Sequence, residues 1–172
     1  MTTIPGYRQI PVKTWFLIFD GILPDSSELQ FIQLERWKNP DADQYLKLYL
    51  EVGKEWGWTG RLLKSRVELT EVLNSESNEV WLFKFENEVA GFFELFRSEQ
   101  ETEIVYLGLK HIWIGKGLGQ KLIKAAIFKA GRNGEKVWLH TCDRDHASAL
   151  AAYQKAGFKI EKETVSLEYY PE

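Results

Sequence analysis

The stretch Ile112-Trp113-Ile114-Gly115-Lys116-Gly117-Leu118-Gly119-Gln120 places three glycines at alternate positions. The apolar residues 104–109 before it predict a strand, and residues 117–130 carry apolar side chains at helical spacing. Because glycine has no side chain, the backbone is accessible where the predicted helix begins. Successive N–H groups can then point at one anion, and the helix dipole adds partial positive charge at the same place. The arc therefore predicts a binding site for a phosphate or diphosphate, although a glycine-rich turn also serves as a plain strand-to-helix connection.

The spacing of these glycines does not fit the two common nucleotide-binding loops. A Walker A loop needs a second glycine five residues after the first, and that position after Gly115 is Gln120. The Rossmann fingerprint needs a glycine at the same place. Neither kind of loop is expected here.

Length, charge and cysteine content exclude several classes of protein. A chain of 172 residues with a formal net charge of −3 is expected to form one domain, residues 1–172, without a nucleic-acid surface. Cys142 is the only cysteine and the three histidines lack metal-ligand spacing, so neither a disulfide nor a metal site is expected. The N-terminus lacks the order of a signal peptide and no apolar run approaches the roughly 18 residues of a membrane span, which predicts a cytoplasmic protein without membrane contact.

Hydrophobic periodicity predicts alternating strands and helices. Strands are expected at residues 12–20, 80–85, 89–96, 103–109, 136–142, 158–160 and 164–169, and helices at residues 40–53, 117–130 and 146–156. Asp145 is placed to cap the last helix, and Gly131 and Gly157 to end the last two, Gly131 in the left-handed conformation. This order predicts an α/β fold: a mixed, mainly antiparallel sheet with flanking helices.

The order of elements and the glycine loop resemble the GNAT superfamily of N-acetyltransferases. The family motif Gln/Arg-x-x-Gly-x-Gly/Ala is matched by Ile114-x-x-Gly117-x-Gly119, with isoleucine at the first position. The resemblance implies splayed central strands and acetyl-CoA as cosubstrate, with its diphosphate held by the loop residues Ile114, Gly115, Lys116, Gly117, Leu118, Gly119 and Gln120. It also implies pantetheine contacts at Leu107, Gly108 and Leu109, where the strand glycine marks a bulge or a close backbone approach.

A second match lies in residues 149–158, which are similar to the family pattern Asn-x-x-Ala-x-x-Leu-Tyr-x-x-x-Gly-Phe, with His146 in place of the asparagine. The resemblance implies that Tyr153 lies near the sulfur of coenzyme A and protonates the departing thiolate, and that His146 contacts the cofactor. A phenol suits this role because its pKa, about 10, is not far above that of a thiol. The alternative is a tyrosine packed in the core.

Two glutamates are candidates for the general base that such a reaction needs. An amine with a pKa of about 10.4 is protonated at neutral pH, and a carboxylate can take its proton during attack. Glu103 lies eleven residues before Ile114, where some family members carry this base, although a glutamate at a strand end is also ordinary. Glu94 interrupts an aromatic strand, where it either has a raised pKa, makes one buried hydrogen bond or faces solvent.

The acceptor is expected beside Trp56, Trp58 and Arg61. The two tryptophans would hold an apolar or cationic group and Arg61 a carboxylate, or the tryptophans fill a gap next to the core and Arg61 makes a surface pair. Cys142, on an apolar strand, is expected to serve packing rather than nucleophilic attack. His140 is expected to be structural.

The leading hypothesis is therefore an acetyl-CoA-dependent N-acetyltransferase that acts directly on a primary amine of a small molecule or peptide. A non-catalytic acyl-CoA-binding regulatory module would share the glycine loop but would need neither Tyr153 nor Glu103. A partner-binding protein that uses exposed tryptophans is the third hypothesis. A homodimer is compatible with the sequence, which names neither the acceptor nor the acyl chain length.

Overall fold

The computed structural model describes residues 4–172, which form seven strands and four helices. The strands are β1 (Tyr7–Phe19), β2 (Gln33–Arg36), β3 (Asn78–Phe85), β4 (Glu88–Arg97), β5 (Glu101–Leu109), β6 (Lys136–Cys142) and β7 (Phe158–Pro171). The helices are α1 (Ala42–Gly53), α2 (Arg66–Asn74), α3 (Gly119–Ala130) and α4 (Ala149–Ala156). Within residues 4–172 there is no helix with the length and apolar character needed to cross a lipid bilayer.

All seven strands belong to one sheet, in the order β2-β3-β4-β5-β6-β1-β7. Every neighbouring pair is antiparallel except β5 and β6, which run parallel. The fold class predicted from the order of elements, a mixed and mainly antiparallel sheet with flanking helices, is therefore confirmed.

The sheet separates two apolar cores, because successive side chains of a strand point to opposite faces. On β4, Phe92 packs in the core formed with α1 and α2, whereas the adjacent Phe93 packs in the core formed with α3. We call these sides of the sheet the α1 face and the α3 face. A ligand that contacts residues on both faces must therefore pass through an opening in the sheet.

The central strands β5 and β6 part after a short parallel ladder. Their pairing runs from Glu101 opposite Lys136 to Ile104 opposite Leu139 and then ends. On the other edge of β5, Val105 is an extra residue between the pairs that Ile104 and Tyr106 make with β4, which is a β-bulge. The bulge bends β5 away from β6 and opens a gap at the centre of the sheet.

Gly108 does not form this bulge. Of the two roles predicted for it, a bulge or a close backbone approach, the structure shows the close approach. It pairs with Phe92, and a Cβ atom at Gly108 would lie 2.4 Å from Cγ1 of Val52 on α1. The missing side chain lets α1 pack directly on the part of β5 that borders the gap.

Local sequence sets the ends of three helices. The Asp41 carboxylate accepts hydrogen bonds from the first turn of α1, and Ser65 and Glu68 form a reciprocal capping box at α2. Gly157 ends α4 in the left-handed conformation, with φ of 111°. These capping residues determine where α1 and α2 begin and where α4 ends.

Two predicted helix boundaries were wrong. Gly131 has φ of −86° and does not end α3 in the left-handed conformation. Asp145 does not cap α4, because its carboxylate accepts hydrogen bonds from the Thr141 hydroxyl (2.6 Å) and the Cys142 N–H (3.0 Å). Helix α4 begins only at Ala149.

Two strand predictions also differ from the structure. The predicted short strands at residues 158–160 and 164–169 are one continuous strand, β7, because the long β1 pairs along its whole length and absorbs one bulge. Strand β2 was not predicted, because its four residues contain one apolar side chain, Leu34, and one such residue shows no period.

Candidate active site

A cavity of about 660 Å³ occupies the gap between β5 and β6. On the α3 face it is lined by side chains of α3 and α4, including Leu122, Ile123 and Tyr153. On the α1 face it is lined by residues 56–60, which follow α1, and by Tyr106. The cavity therefore joins the two faces of the sheet through the parted strands.

The glycine loop forms one mouth of this cavity. Gly115 and Gly117 have φ of 79° and 77°, a backbone conformation that other residues rarely adopt. A Cβ atom at Gly115, Gly117 or Gly119 would have no other heavy atom within 4 Å apart from its chain neighbours. Helix α3 then starts at Gly119 without a side-chain cap, so the N–H groups of its first turn are open to an external anion.

The lysines around the loop divide into paired and unpaired groups. Lys110 binds Glu51 at 2.8 Å and Lys124 binds Glu28. Lys116 lies over the ring of Trp113, with its Nζ atom 5.1 Å from the ring centroid, and has no carboxylate partner among residues 4–172. Lys116 is therefore the basic side chain of the loop that is free to meet a phosphate.

The side chain of Gln120 is engaged within the protein. Its Nε2 atom donates to the main-chain carbonyl of Ala152 at 2.9 Å, which ties the first turn of α3 to α4. Because Tyr153 directly follows Ala152, this hydrogen bond fixes the position of Tyr153 relative to the glycine loop.

Tyr153 faces the cavity from α4. Its ring packs edge-on against Phe158 with centroids 6.0 Å apart, and its hydroxyl makes no hydrogen bond to any group within residues 4–172. Burial, reinforced by the negative charge of Asp145, raises the pKa of this hydroxyl above its ordinary value. Tyr153 thus presents a neutral O–H with an unused donor to the cavity.

Cys142 also lines the cavity at the end of β6. Burial raises the pKa of its thiol to about 11, and the carboxylate of Asp145 contributes to the shift. The thiol is protonated at neutral pH, so the structure offers no activated nucleophile at this position.

His146 and Trp56 meet at the edge of the cavity. The two rings are 5.1 Å apart, centroid to centroid, in an edge-to-face arrangement. Nδ1 of His146 accepts a hydrogen bond from the Ser148 N–H at 3.1 Å, which leaves Nε2 as the nitrogen free for another partner. The structure thus places His146, predicted to contact the cofactor, next to Trp56, predicted to lie beside the acceptor.

The segment of residues 56–60 is attached to the end of β7. The hydroxyl of Tyr170 donates to the carbonyl of Trp56, and the hydroxyl of Thr59 donates to the carbonyl of Tyr169 at 3.0 Å. Trp58 reaches inward and packs on Tyr106, with ring centroids 5.0 Å apart. The segment and the C-terminal strand together wall the cavity on the α1 face.

Arg61 and Glu94 lie deep beneath this wall and do not line the cavity. Arg61 is 8% exposed and Glu94 is 0% exposed, and Nη2 of Arg61 lies 3.0 Å from Oε2 of Glu94. The Tyr45 hydroxyl (3.1 Å) and the Asn78 amide (3.3 Å) also donate to Glu94. Burial opposes the charge on Arg61, but Glu94, together with Tyr45 and Tyr106, outweighs burial and raises the pKa of the guanidinium.

This pairing differs from the sequence-based expectation for both residues. The carboxylate that Arg61 binds belongs to Glu94 of the same chain, and the charge of Glu94 is balanced by Arg61 instead of being isolated among phenylalanines. The geometry therefore gives the pair a structural role beneath residues 56–60.

Glu103 lies on the α1 face of β5, next to the point where the strands part. Its side chain is 20% exposed, and its Oε1 atom lies 3.5 Å from Nδ1 of His140 on β6. His140 lines the cavity, whereas Glu103 stands behind it. No group of three or more His, Cys, Asp or Glu side chains within residues 4–172 is arranged to hold a metal ion.

Comparison with known proteins agrees with this geometry. The model of the Acetyltransferase (GNAT) family matches residues 33–158. The chain belongs to the GNAT family. The match includes β2 to α4, and hence the parted strands, the glycine loop and Tyr153.

Individual acetyltransferases resemble parts of the chain. It is 30% identical over 83 residues to mycothiol acetyltransferase of Corynebacterium efficiens (48% of this chain, 28% of the relative). It is 25% identical over 116 residues to the same enzyme of Corynebacterium glutamicum (67% and 39%). The chain thus spans well under half of these curated relatives. A GNAT acetyltransferase of Elizabethkingia anophelis, solved with acetyl-CoA bound, superposes with a TM-score of 0.58 at 24% identity, over 77% of this chain and 79% of that one.

The GNAT site brings most of the predicted residues to one cavity. Its lining includes Leu107, Gly108, Leu109, Ile114, Gly115, Gly119, His146, Trp56, Trp58 and Tyr153. Their roles remain predictions, as do those of Lys116, Gly117, Leu118 and Gln120 in the adjoining turn. The sequence analysis did not predict His140 as a site residue. Two features could have indicated it: its strand ends beside the predicted gap, and alternation with the apolar Leu139 places His140 on the opposite face of the sheet.

Proposed function

We propose that this GNAT protein transfers the acetyl group of acetyl-CoA directly to a primary amine of a small molecule. The observation that carries the proposal is the cavity through the parted strands, because it joins an open anion-binding turn on one side to an aromatic pocket on the other. A thioester carrier held at the turn has a path by which its acyl end reaches a second substrate.

The glycine loop fits the diphosphate of coenzyme A. Three Cβ-free positions, an uncapped helix start and the unpaired Lys116 supply N–H groups, a favourable dipole and a cation in one place. When bound, acetyl-CoA supplies an activated thioester. Residues 105–109 of β5 have no strand partner on the side of the gap, so their main-chain groups are available to the pantetheine arm.

Tyr153 supports the release of the thiol. Its O–H faces the cavity without a protein acceptor, and its raised pKa means that the phenol carries its proton at neutral pH. Burial acts on a thiolate released beside it in the same direction, because it disfavours the charged form and raises the pKa of the thiol as well. A binding module would not need this donor, so the arrangement favours catalysis over sensing.

The acceptor side supports a small molecule with an apolar or aromatic part. Trp56, Trp58 and Tyr170 line this end of the cavity, and the side chain of Glu168 stands at its edge. The similarity to enzymes named mycothiol acetyltransferases agrees with a small-molecule acceptor. A peptide acceptor and a homodimer remain predictions from the sequence.

The proposal is tested by measuring thiol release from acetyl-CoA in the presence of a panel of primary amines. The panel contains aralkylamines, amino sugars, cysteine derivatives and short peptides, and calorimetry measures acetyl-CoA binding in parallel. We expect binding together with turnover of at least one small amine. Tight binding without turnover of any amine would favour a regulatory acyl-CoA-binding module, and absence of binding would favour a partner-binding protein.

Replacing Tyr153 by phenylalanine is expected to lower kcat by about 10- to 100-fold. This loss lies at or below the lower end of the rate gains that general acids usually provide, because a thiol is already a good leaving group. The dissociation constant of acetyl-CoA should change little, because only the hydroxyl is removed. Stopped-flow turnover and calorimetry measure the two effects. Tyr7→Phe on β1, outside the cavity, is the matched control, and a wild-type kcat in Tyr153→Phe would rule out the acid role.

A further inference from the structure

We propose that His140 is the group that accepts the proton of the acceptor amine and that Glu103 positions it. The inference rests on the proposed acetyl transfer and assigns its base. His140 is the first residue of β6 beyond the last pair with β5, Ile104 opposite Leu139, so it stands where the gap begins.

The imidazole faces the acceptor side of the gap. Leu139 packs on the α3 face, so the adjacent His140 points to the α1 face, and its side chain is 44% exposed and lines the cavity. The carrier mouth lies at the glycine loop, whereas residues 56–60 and Tyr170 wall the α1 face. A base at His140 is therefore on the side from which an amine must approach.

The ring has one nitrogen directed to a carboxylate and one left for the cavity. Nδ1 lies 3.5 Å from Oε1 of Glu103, and the ring also contacts Phe16 on β1 with centroids 5.8 Å apart. A proton on Nδ1 facing Glu103 leaves the lone pair of Nε2 toward the cavity. Glu103 itself does not line the cavity, so it acts through the histidine.

The charged groups around His140 are few. Glu103 faces it from β5. From β7, Lys162 places its Nζ atom 4.7 Å from the ring centroid of the uncharged Phe16, which itself contacts the His140 ring. On β6 itself the nearest titratable group is Cys142, which is neutral because its pKa is about 11. Glu103 is therefore the carboxylate placed to stabilise an imidazolium at His140.

The other carboxylate and imidazole side chains that line the cavity each accept at least one hydrogen bond. Asp145 accepts from Thr141 and Cys142, Nδ1 of His146 accepts from Ser148, and Glu168 accepts from Ser166 at 2.9 Å. Glu94, the rival base from the sequence, binds Arg61 outside the cavity. His140 differs from these groups because the Glu103 carboxylate lies beside its Nδ1 atom, which leaves its Nε2 atom for the cavity.

The proton balance of the transfer then closes. A basic acceptor enters as an ammonium ion, and its first proton moves to Nε2 of His140 and from there to solvent. The neutral amine nitrogen then attacks the thioester carbonyl carbon, a C–N bond forms and the C–S bond breaks. The nitrogen loses its second proton to solvent, the sulfur takes the proton of the Tyr153 hydroxyl and solvent returns one to Tyr153, so the products are the acetamide, free coenzyme A and one released proton.

The test compares two amines of the same shape and different basicity. The pair is the panel amine that the wild type acetylates fastest and the O-alkylhydroxylamine of the same skeleton, with benzylamine and O-benzylhydroxylamine as the first pair. A basic amine is protonated at neutral pH and needs a base, whereas an alkoxyamine is largely unprotonated. We expect His140→Gln to lower kcat about 100-fold for the basic amine and by less than about fivefold for the alkoxyamine.

His111→Gln is the matched control, because His111 also pairs with a glutamate, Glu55 at 2.9 Å, but lies outside the cavity. We expect wild-type kcat for this variant. Glu103→Gln should lower kcat about tenfold with the same selectivity for the basic amine, and the double variant should be no worse than His140→Gln alone. Glu103→Gln also keeps the test valid if His140→Gln fails to fold.

Two outcomes overturn the inference in distinguishable ways. Equal losses for both probes, or no loss in folded His140→Gln, would mean that His140 is structural while the wild type still acetylates amines. Failure of the wild type with every amine of the panel would overturn the proposed function, and the assigned base with it.

Discussion

Gly119→Trp is expected to abolish the binding of acetyl-CoA while the fold persists. Gly119 is the first residue of α3 and has no left-handed φ, so an L-residue fits its backbone. A Cβ atom there projects into open space at the mouth of the cavity, and an indole would fill the site proposed for the diphosphate.

The size of the effect follows from the contacts that the indole would displace. Hydrogen bonds to a charged group contribute about 1.5–3 kcal/mol each, so the loss of two weakens binding by about 100-fold or more. Calorimetry with acetyl-CoA measures the change directly. The rise in melting temperature that the cofactor causes in the wild type should also disappear.

Gly119→Ala is the matched control for this substitution. A methyl group leaves most of the site open, and the family motif accepts alanine at this position. Because alanine restricts the unfolded chain, the free energy of unfolding should rise by about 0.4–1 kcal/mol while cofactor binding is retained. If Gly119→Trp binds acetyl-CoA as tightly as Gly119→Ala, the cofactor does not bind at this turn.

Arg61→Met is expected to lower the free energy of unfolding by about 3–5 kcal/mol, the cost of leaving a buried charge without its partner. Glu94 is completely buried, and without Arg61 its carboxylate would keep only the hydrogen bonds from Tyr45 and Asn78. Urea unfolding measures the loss. The effect is large because solvent cannot reach Glu94 to replace the guanidinium.

Two further variants separate the buried pair from an ordinary salt bridge. Arg66→Met removes an exposed pair with Asp43, whose side chains are 60% and 75% exposed, and should cost less than about 1 kcal/mol. Arg61→Met combined with Glu94→Gln removes both charges and should recover most of the lost stability. A loss in Arg61→Met no larger than in Arg66→Met would contradict the buried-pair account.

The double variant also addresses the rival catalytic assignment. If Glu94 were the general base, a folded Arg61→Met/Glu94→Gln protein would lose acetyl transfer. We expect transfer to persist with a raised KM for the acceptor, because Arg61 lies directly after the segment of residues 56–60 and helps to hold it.

Much of the fold was predictable where short-range pattern and backbone chemistry decide it. The glycine turn, the amphipathic α3 and the aromatic hairpin of β3 and β4 each depend on residues close in sequence. Predictions failed where a distant partner decides. The polar residues near 161–163 resemble a turn, yet β7 continues through them with a single bulge, because β1 pairs with it on both sides of that point.

The site divides in the same way. The amino-acid sequence by itself determined that a glycine turn opens a helix and that a tyrosine follows on the next helix, because both are short motifs with their own backbone requirements. Only the tertiary structure decided that Arg61 is bound to Glu94 and that His140 stands in front of Glu103. Those pairs join residues 33 and 37 positions apart, so only the fold brings them together. Arg61 and Glu94 pair because an unpaired charge at their depth would be too costly, whereas Glu103 and His140 meet because β5 and β6 are neighbouring strands.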